Sequence, residues 1–252
     1  MYNSIVAPTI DITIPVLNES LTLRSQIEKL QEFLMSQSEL IFTYQITVAD
    51  NGSSDSTLSI AKELAEKFKN IRVVTVGKRG VGLALKSAWT SSRCDYIGYM
   101  DLDFSTDLFH LLGMEKYFLD GYECVFGSRL LPGSRVVGRT LKREITSRIF
   151  NRIIRTTFGT SMSDGMCGFK FLRRELLSKL LETGAESDGW FFGTEIVVTA
   201  NLANFYIHEI PVSWHDDADS KVKIPSLTLE YIRDILKFKK RINFSDSQPK
   251  KS

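Results

Sequence analysis

Two rhythms of apolar and polar positions alternate along this chain. Residues 9–16 (TIDITIPV), 44–50 (YQITVAD), 71–76 (IRVVTV), 94–101 (CDYIGYMD) and 122–128 (YECVFGS) read as strands. Between the first two, residues 19–36 carry Leu23, Ile27, Leu30 and Leu34 at helical spacing. Residues 55–68, 82–91 and 107–119 read as further helices, the last with Ser105 or Thr106 as its N-cap. This strand–helix alternation predicts a mostly parallel sheet covered by helices.

The second half is less regular. A Gly- and Arg-rich loop (127–138) leads into a long helix (139–158), followed by the segment MCGFKFL (166–172). Helices near 173–183 and 192–203, a strand at 205–212, a polar loop (213–224) and a last helix (225–241) complete the pattern. We expect one domain over residues 1–242 and a disordered lysine-rich tail over 243–252.

Composition changes this picture little. Of 252 residues, 43% are apolar and 25% charged, as in an ordinary globular protein, and the formal net charge is +2. Bulk charge therefore singles out no partner and does not point to nucleic acid. Its distribution is more informative. Arg135, Arg139, Lys142, Arg143, Arg148, Arg152 and Arg155 are balanced by Glu144 alone, and Lys237, Lys239, Lys240 and Arg241 end the last helix. Within 139–158, Arg148, Arg152 and Arg155 share a face beside an Ile145, Ile149, Ile153 stripe. Such a helix suits an anionic membrane surface, or equally a core with a solvated basic side.

Cys94, Cys124 and Cys167 are widely spaced, so neither a zinc site nor a disulfide framework is expected. No apolar run reaches the roughly 18 residues of a membrane span, and the start of the chain lacks a signal-peptide layout. A cytoplasmic location is the expectation, with attachment limited to the inner face of the membrane.

In an open parallel sheet, ligands bind beyond the carboxyl ends of the strands. Pro15, Asn18 and Glu19 follow the first strand, Asp50, Ser53 and Asp55 the second, and Asp101, Leu102 and Asp103 the fourth. This acidic rim suits a cation together with the hydroxyls and base edge of a nucleotide. Asp101 and Asp103, two apart on extended chain, can face one ion. Oxygen-only ligands favour Mg²⁺ or Mn²⁺. An Asp-x-Asp in isolation is more often a pair of solvated loop carboxylates; the other strand-end residues turn the balance toward an ion. GKRGVGLALKSAW (77–89) places Gly80 and Gly82 before a helix, either as a phosphate cradle or as a plain turn, with Arg79 and Lys86 as counter-charges for a diphosphate. It matches neither a Walker A motif nor GxGxxG. The three histidines are scattered and read as structural, and Trp190, Phe191 and Phe192 line a pocket or belong to the core.

ITIPVLNES, VADNGSSDST, RGVGLALKSA, YMDLDFST, FGSR and SDGMCGFKFLRRE occur in this order. As an ordered set they resemble family 2 glycosyltransferases of the GT-A fold, most nearly the polyprenyl- or dolichyl-phosphate mannosyl- and glucosyltransferases. CGFKFL followed by SWHDDADSKVKI leans toward the glucosyltransferase branch. The resemblance implies that Pro15, Asn18 and Glu19 frame the nucleotide. It implies that Asp50 lies near the base, that Asp55 caps its helix, and that Asp103 is the stronger metal ligand of its pair. It sets Arg129 near the sugar, Asp164 on the sugar or acceptor side, and Glu195 in the helix after GWFF. Ser220 and Lys221 would belong to a loop over the phosphates. FGTE, DSK and the lack of C-terminal transmembrane helices depart from the pattern.

The implied reaction is metal-dependent and inverting, moving a hexose from a nucleotide sugar to a polyprenyl phosphate, with UDP-glucose expected before GDP-mannose. An anionic acceptor needs no strong base but needs cations, for which Arg139, Arg148 and Lys221 are suitably placed in sequence. The alternative is a saccharide hydroxyl acceptor, as in glycan synthesis, which would need Asp164 or Glu195 as base. A remote alternative is a haloacid-dehalogenase-like phosphatase, for which DLDFST sits on the wrong strand. Oligomeric state is not legible.

Overall fold

The computed structural model describes residues 7–38, 40–216 and 224–246. In the first half, β1 (Thr9–Val16), α1 (Leu23–Ser36), β2 (Thr43–Asp50), α2 (Thr57–Lys67), β3 (Ile71–Thr75), α3 (Val81–Ser91) and β4 (Tyr96–Met100) alternate as the sequence pattern predicts. Then come α4 (Phe109–Leu119), β5 (Cys124–Ser128), β6 (Arg135–Val137), α5 (Leu141–Phe158), β7 (Phe169–Arg173), α6 (Leu177–Glu182), α7 (Phe192–Leu202), β8 (Ile207–Pro211), β9 (Ser213–His215) and α8 (Ile224–Asp246).

The main sheet has seven strands in the order β3-β2-β1-β4-β7-β5-β8. All neighbours are parallel except β7, which runs antiparallel between β4 and β5. Both faces are covered. Ile10, Ile12 and Ile14 of β1 join one core with Leu23, Ile27, Leu30 and Leu34 of α1 and with Leu111, Met114 and Phe118 of α4. On the opposite face, α3, α6 and α7 pack through Leu85, Trp89, Leu180, Phe192 and Ile196 against Ile97, Tyr99 and Leu172. Phe191 and Phe192 are therefore core residues, while Trp190 is half-exposed. All three cysteines are free and buried.

A smaller parallel pair, β6 and β9, lies in stretches whose sequence reads as loop. Its strands are too short to display a period, and pairing with distant chain fixes them. Backbone bonds from Asp107 N to Ser213 O and from His215 N to Ser105 O tie β9 to the turn after β4. The cap of α4 also differs from expectation. Asp107, not Ser105 or Thr106, accepts the Phe109 N–H, at 3.0 Å, because Ser105 and Thr106 are engaged with β9.

α5 and α8 pack against each other and α7 through Phe150, Ile154, Phe191, Tyr231, Ile235 and Phe238. The buried face of α5 is Ser147, Phe150, Asn151 and Ile154. Leu141, Ile145 and Ile149 are 75%, 49% and 54% exposed, beside exposed Lys142, Arg148, Arg152 and Arg155. The isoleucine stripe thus faces outward at Ile145 and Ile149. α8 continues to Asp246, so the boundary expected at 243 falls inside a helix; 247–252 lie outside the described residues. Among the described residues no helix is long and apolar enough to cross a membrane.

Candidate active site

The carboxyl ends of β1, β2, β4 and β5 share one edge of the sheet, and because β7 runs backwards its amino end joins them. Register pairs Val16 with Asp50 and Met100 with Phe169. Asn18, Asp50, Asp101, Asp103, Gly168 and Arg129 are thereby gathered along one rim from segments far apart in sequence.

On the β1–β2 side, the loops interlock. Asn18, at φ +55, accepts the Ser54 N–H at 2.8 Å through its side chain, and its own N–H donates to Ser53 Oγ at 3.0 Å. The buried Asp50 carboxylate accepts from Ser53 N at 3.2 Å and Thr75 Oγ1 at 3.0 Å, so it braces the turn. Asp55 accepts from Thr57 N and Ser20 N at the start of α2. The Thr57 hydroxyl, which also donates to it, then the Ser20 hydroxyl and these N–H groups hold its carboxyl well below the usual range. Glu19 accepts from Thr22 Oγ1 at 2.7 Å and its N–H donates to Thr57 Oγ1 at 2.8 Å. Pro15 is buried at the end of β1.

The Gly80–Gly82 turn is not an open phosphate cradle. A Cβ at residue 80 would come 2.8 Å from Asp188 O, and one at residue 82 would overlap Ser187 O and come 2.9 Å from Gly189 O. The glycines admit loop 187–189 against the α3 N-terminus. Lys86 belongs to that closure too. It pairs with Asp188 at 2.9 Å and donates to Glu186 O, so it is occupied within the fold rather than free for a diphosphate. Arg79 is exposed, and its backbone N is next to Gly52 at the end of β2, on the rim side.

The centre of the rim is Asp101-Leu102-Asp103. Asp101 is half-buried and its Cγ would lie 2.7 Å from a Cβ on residue 168, so only glycine admits it. Asp103 is exposed, and its Oδ1 accepts the Ser105 N–H at 2.9 Å. Leu102 turns into the core and Phe104 follows at φ +52, a strained conformation that fixes the turn. Burial, then the charge of Asp103, push the Asp101 carboxyl up to about 7, against the pull of Lys170 and Arg129. Two carboxylates crowded in this way repel each other. Among the described residues no third His, Cys, Asp or Glu joins them. The pair fits a hard divalent ion that completes its shell with water and substrate oxygens.

Beside this pair, Arg129 is clamped. Its Nε and Nη2 donate to the two oxygens of Asp164 at 2.7 and 3.0 Å, and its backbone N–H donates at 3.1 Å. Its guanidinium stacks on Trp214, 4.8 Å from the ring centroid. Burial would raise the Asp164 carboxyl, but the Arg129 charge and hydrogen bonds override it and hold the group well below the carboxylate range. Asp164 is therefore an anchor, not a base. Glu195 meets the same correction. It is buried, accepts from Ser187 N at 2.7 Å and is ion-paired to Arg241, so it ties α7 to loop 186–188 and α8. Burial raises its pKa against the pull of the Ser187 N–H and Arg241.

Arg129 also borders an open groove of about 440 Å³, lined by Leu130, Leu131, Ser134, Val136, Arg139, Leu141, Glu144 and Arg148. The structure thus brings Arg139 and Arg148 together with Arg129. Ser220 and Lys221 lie outside the described residues.

Some participants were missed in the sequence. Lys170 is fully buried in β7, and its ammonium donates to Cys167 O and to Tyr99 Oη at 3.5 Å. Asn151 donates to Asp164 at 3.3 Å and accepts from Gly165 N at 2.9 Å. Trp214 Nε1 donates to Asp216 at 2.9 Å. A lysine inside an apolar strand and an asparagine on a helix's buried face are visible signals, although neither names its partner. Of the histidines, His110 accepts Ser213 N at 2.8 Å and His208 stacks on Tyr117.

The fold and its acidic rim can be compared with known proteins. A model of Glycosyl transferase family 2 matches residues 11–181, and the chain belongs to that family. The glycosyltransferase AglD of Haloferax volcanii is 34% identical over 90% of this chain and 35% of its own length. A dolichyl-phosphate beta-glucosyltransferase of Dictyostelium discoideum is 30% identical over 92% of this chain and 74% of its own. The chain thus spans about a third of the length of AglD. Glucosyl-3-phosphoglycerate synthase of Mycobacterium tuberculosis, solved with Mn²⁺, UDP and glucosyl-3-phosphoglycerate, superposes with a TM-score of 0.66 at 17% identity, over 94% of this chain and 80% of that one. That likeness is one of fold. The phosphatase alternative falls with the family match.

Proposed function

We propose that this chain is an inverting hexosyltransferase that uses a divalent ion and moves a hexose from a nucleotide sugar onto a polyprenyl phosphate. The observation that carries this reading is the groove, where Arg129, Arg139 and Arg148 meet the apolar walls Leu130, Leu131, Val136 and Leu141. Cations beside apolar walls suit a phosphate with a hydrocarbon tail. Arg129 also acts electrostatically on Asp101, which links the groove to the acidic rim.

Asn18, Glu19, Asp50, Ser53 and Arg79 would frame the donor, with Leu102 anchoring the rim turn from the core. Asp101 and Asp103 would hold Mg²⁺ or Mn²⁺, which when bound neutralises charge on the leaving diphosphate. Arg129, rigidly held by Asp164, faces the anion with no reorganisation needed at the moment of reaction. A phosphate nucleophile is already anionic and needs no base. A hydroxyl acceptor would need one, and both carboxylates suited by sequence, Asp164 and Glu195, are consumed by arginines. That disfavours the saccharide-acceptor alternative. Attack from the face opposite the diphosphate inverts the anomeric carbon.

The name of the Dictyostelium relative and the UDP of the mycobacterial neighbour support UDP-glucose ahead of GDP-mannose. The exposed Leu141, Ile145 and Ile149 beside Lys142, Arg148, Arg152 and Arg155 support contact with the inner membrane surface, where a lipid acceptor resides. Ser220 and Lys221 remain proposed phosphate ligands.

The test is nucleoside diphosphate release from a panel of nucleotide sugars with Mn²⁺ or Mg²⁺, with and without undecaprenyl or dolichyl phosphate. Release that needs one donor and the lipid phosphate, and is lost in Asp103→Ala, is the expected result. Donor binding without lipid-dependent release would overturn the acceptor.

A further inference from the structure

Glu144 is the one acid in the basic stretch 135–155, and the reaction proposed above gives it no task. It lies in the first turn of α5, where an acid is favoured by the helix dipole. Its geometry is more specific than that. The side chain is 28% exposed, and its two oxygens accept from two different guanidinium groups that line the groove. Arg139 Nη1 donates to Oε2 at 3.3 Å and Arg148 Nε donates to Oε1 at 2.6 Å.

Arg139 is unusual for a groove arginine. Only 7% of its side chain is exposed, and its Nε is fixed from behind by Asp216 at 2.8 Å. Asp216 is fixed in turn by the indole N–H of Trp214, the ring on which Arg129 stacks. A guanidinium held at one nitrogen by a braced carboxylate offers its remaining N–H groups in a set direction. Here they meet Glu144. The arrangement is an anion site whose present occupant is a side chain of the same protein.

We infer that Glu144 is a resident counter-anion at the acceptor's phosphate site, displaced when the phosphomonoester enters. This rests on the acceptor reading of the groove. A carboxylate carries one charge and two acceptor oxygens. A phosphomonoester near neutral pH carries about −1.5 to −2 and three acceptor oxygens, so it can take over both arginines. A hydroxyl cannot, and a singly charged headgroup gains little by the exchange. Glu144 therefore acts as a charge filter by threshold: every anion bears the same displacement cost, and one that offers no more charge than a carboxylate gains little by the exchange. The apparent affinity is reduced by the fraction of molecules in which Glu144 has released the arginines.

The test is calorimetric binding to the full chain of farnesyl phosphate, a short isoprenyl monophosphate, with farnesoate and farnesol as monoanionic and neutral counterparts. Wild type, Glu144→Gln and Arg139→Gln are compared. In wild type, farnesoate binds more than about tenfold more weakly than farnesyl phosphate. Glu144→Gln tightens farnesyl phosphate about five- to tenfold, tightens farnesoate as well, and leaves farnesol unchanged. Arg139→Gln weakens farnesyl phosphate. If Arg139→Gln weakens binding but Glu144→Gln does not tighten it, the filter is overturned while the groove remains the acceptor site. If neither substitution changes farnesyl phosphate binding, the acceptor reading falls and this inference with it. The wild-type comparison stands whatever the variants' stability: equal binding of farnesoate and farnesyl phosphate overturns the filter by itself.

Discussion

The Asp101 carboxylate occupies the space that the side chain of residue 168 would fill. A Cβ there would stand 2.7 Å from Asp101 Cγ and 2.9 Å from Oδ1. The glycine of the CGF segment is thus a seat for the first aspartate of the Asp-x-Asp pair, 67 residues earlier in the chain (168 − 101 = 67). The two sequence features are one structural feature.

Gly168→Ala is accordingly expected to push Asp101 off its seat. A displacement of about 1 Å at a reacting centre lowers turnover about a hundredfold. Diphosphate release should fall by that order, with a raised requirement for Mn²⁺, while circular dichroism stays native. Unchanged turnover with a lowered melting temperature would assign Gly168 to packing alone.

The pair also sets a pH dependence. In the folded chain without metal, Asp101 keeps its proton up to about 7, whereas in the unfolded chain it loses it near 3.8. The folded state then binds more protons between those values, so this group's contribution to stability is full below about 4 and is lost as pH rises through about 7. The difference in melting temperature between wild type and Asp101→Asn should therefore move against wild type from pH 5 to 8. Mn²⁺ should restore it most at the upper end, because the ion binds the ionised pair. A pH-independent difference would contradict this.

Asp164 titrates in the opposite sense. Its folded pKa is depressed, so its contribution is present above the unfolded value and is lost as pH falls below the usual carboxylate range. Asp164→Asn leaves the Arg129 guanidinium buried and half-paired, and should destabilise the fold by about 3–5 kcal/mol in denaturant titration. Because the asparagine amide cannot accept both guanidinium bonds, turnover should fall too, with the pH profile of the remaining activity unshifted. A base would shift it.

Glu195→Gln separates anchoring from chemistry. It breaks a buried pair with Arg241, for which a loss of about 3–5 kcal/mol is expected. At a temperature where the variant is folded, kcat should stay within about threefold of wild type, since no acid–base factor of about 100 or more is removed. A hundredfold fall in kcat would return Glu195 to the list of bases.

The residues divide instructively between legible and hidden. The strand ends holding Asn18, Asp50 and Asp101 were legible because parallel strands in a β-α repeat share one carboxyl edge. Arg129, Arg139 and Arg148 could be marked as cations, and they meet in one groove. Lys86 and Gly82 misled, because a glycine before a helix looks the same whether it admits a phosphate or, as here, the backbone of Ser187 and Gly189. Asp164 and Glu195 misled for a related reason. A carboxylate's role depends on whether an arginine from elsewhere reaches it, and neither Arg129 nor Arg241 advertises its partner. β6 and β9 stayed hidden because three residues carry no period.

The reversed strand β7 has a kinetic corollary. The first four strands can pair once β4 is made, β1 with β2 and β2 with β3 over one helix each, and β4 with β1 between Ile10 and Tyr96. β4 acquires its other neighbour only when Phe169–Arg173 arrives, pairing Met100 with Phe169 across 69 residues (169 − 100 = 69). Both pairings of β4 close long loops, which is slow and entropically opposed, and the one with β7 also waits for chain beyond residue 168. A nascent chain therefore builds its donor-side scaffold early but leaves Asp101 unseated until the ribosome has passed Gly168, so catalytic competence is among the last properties this molecule acquires.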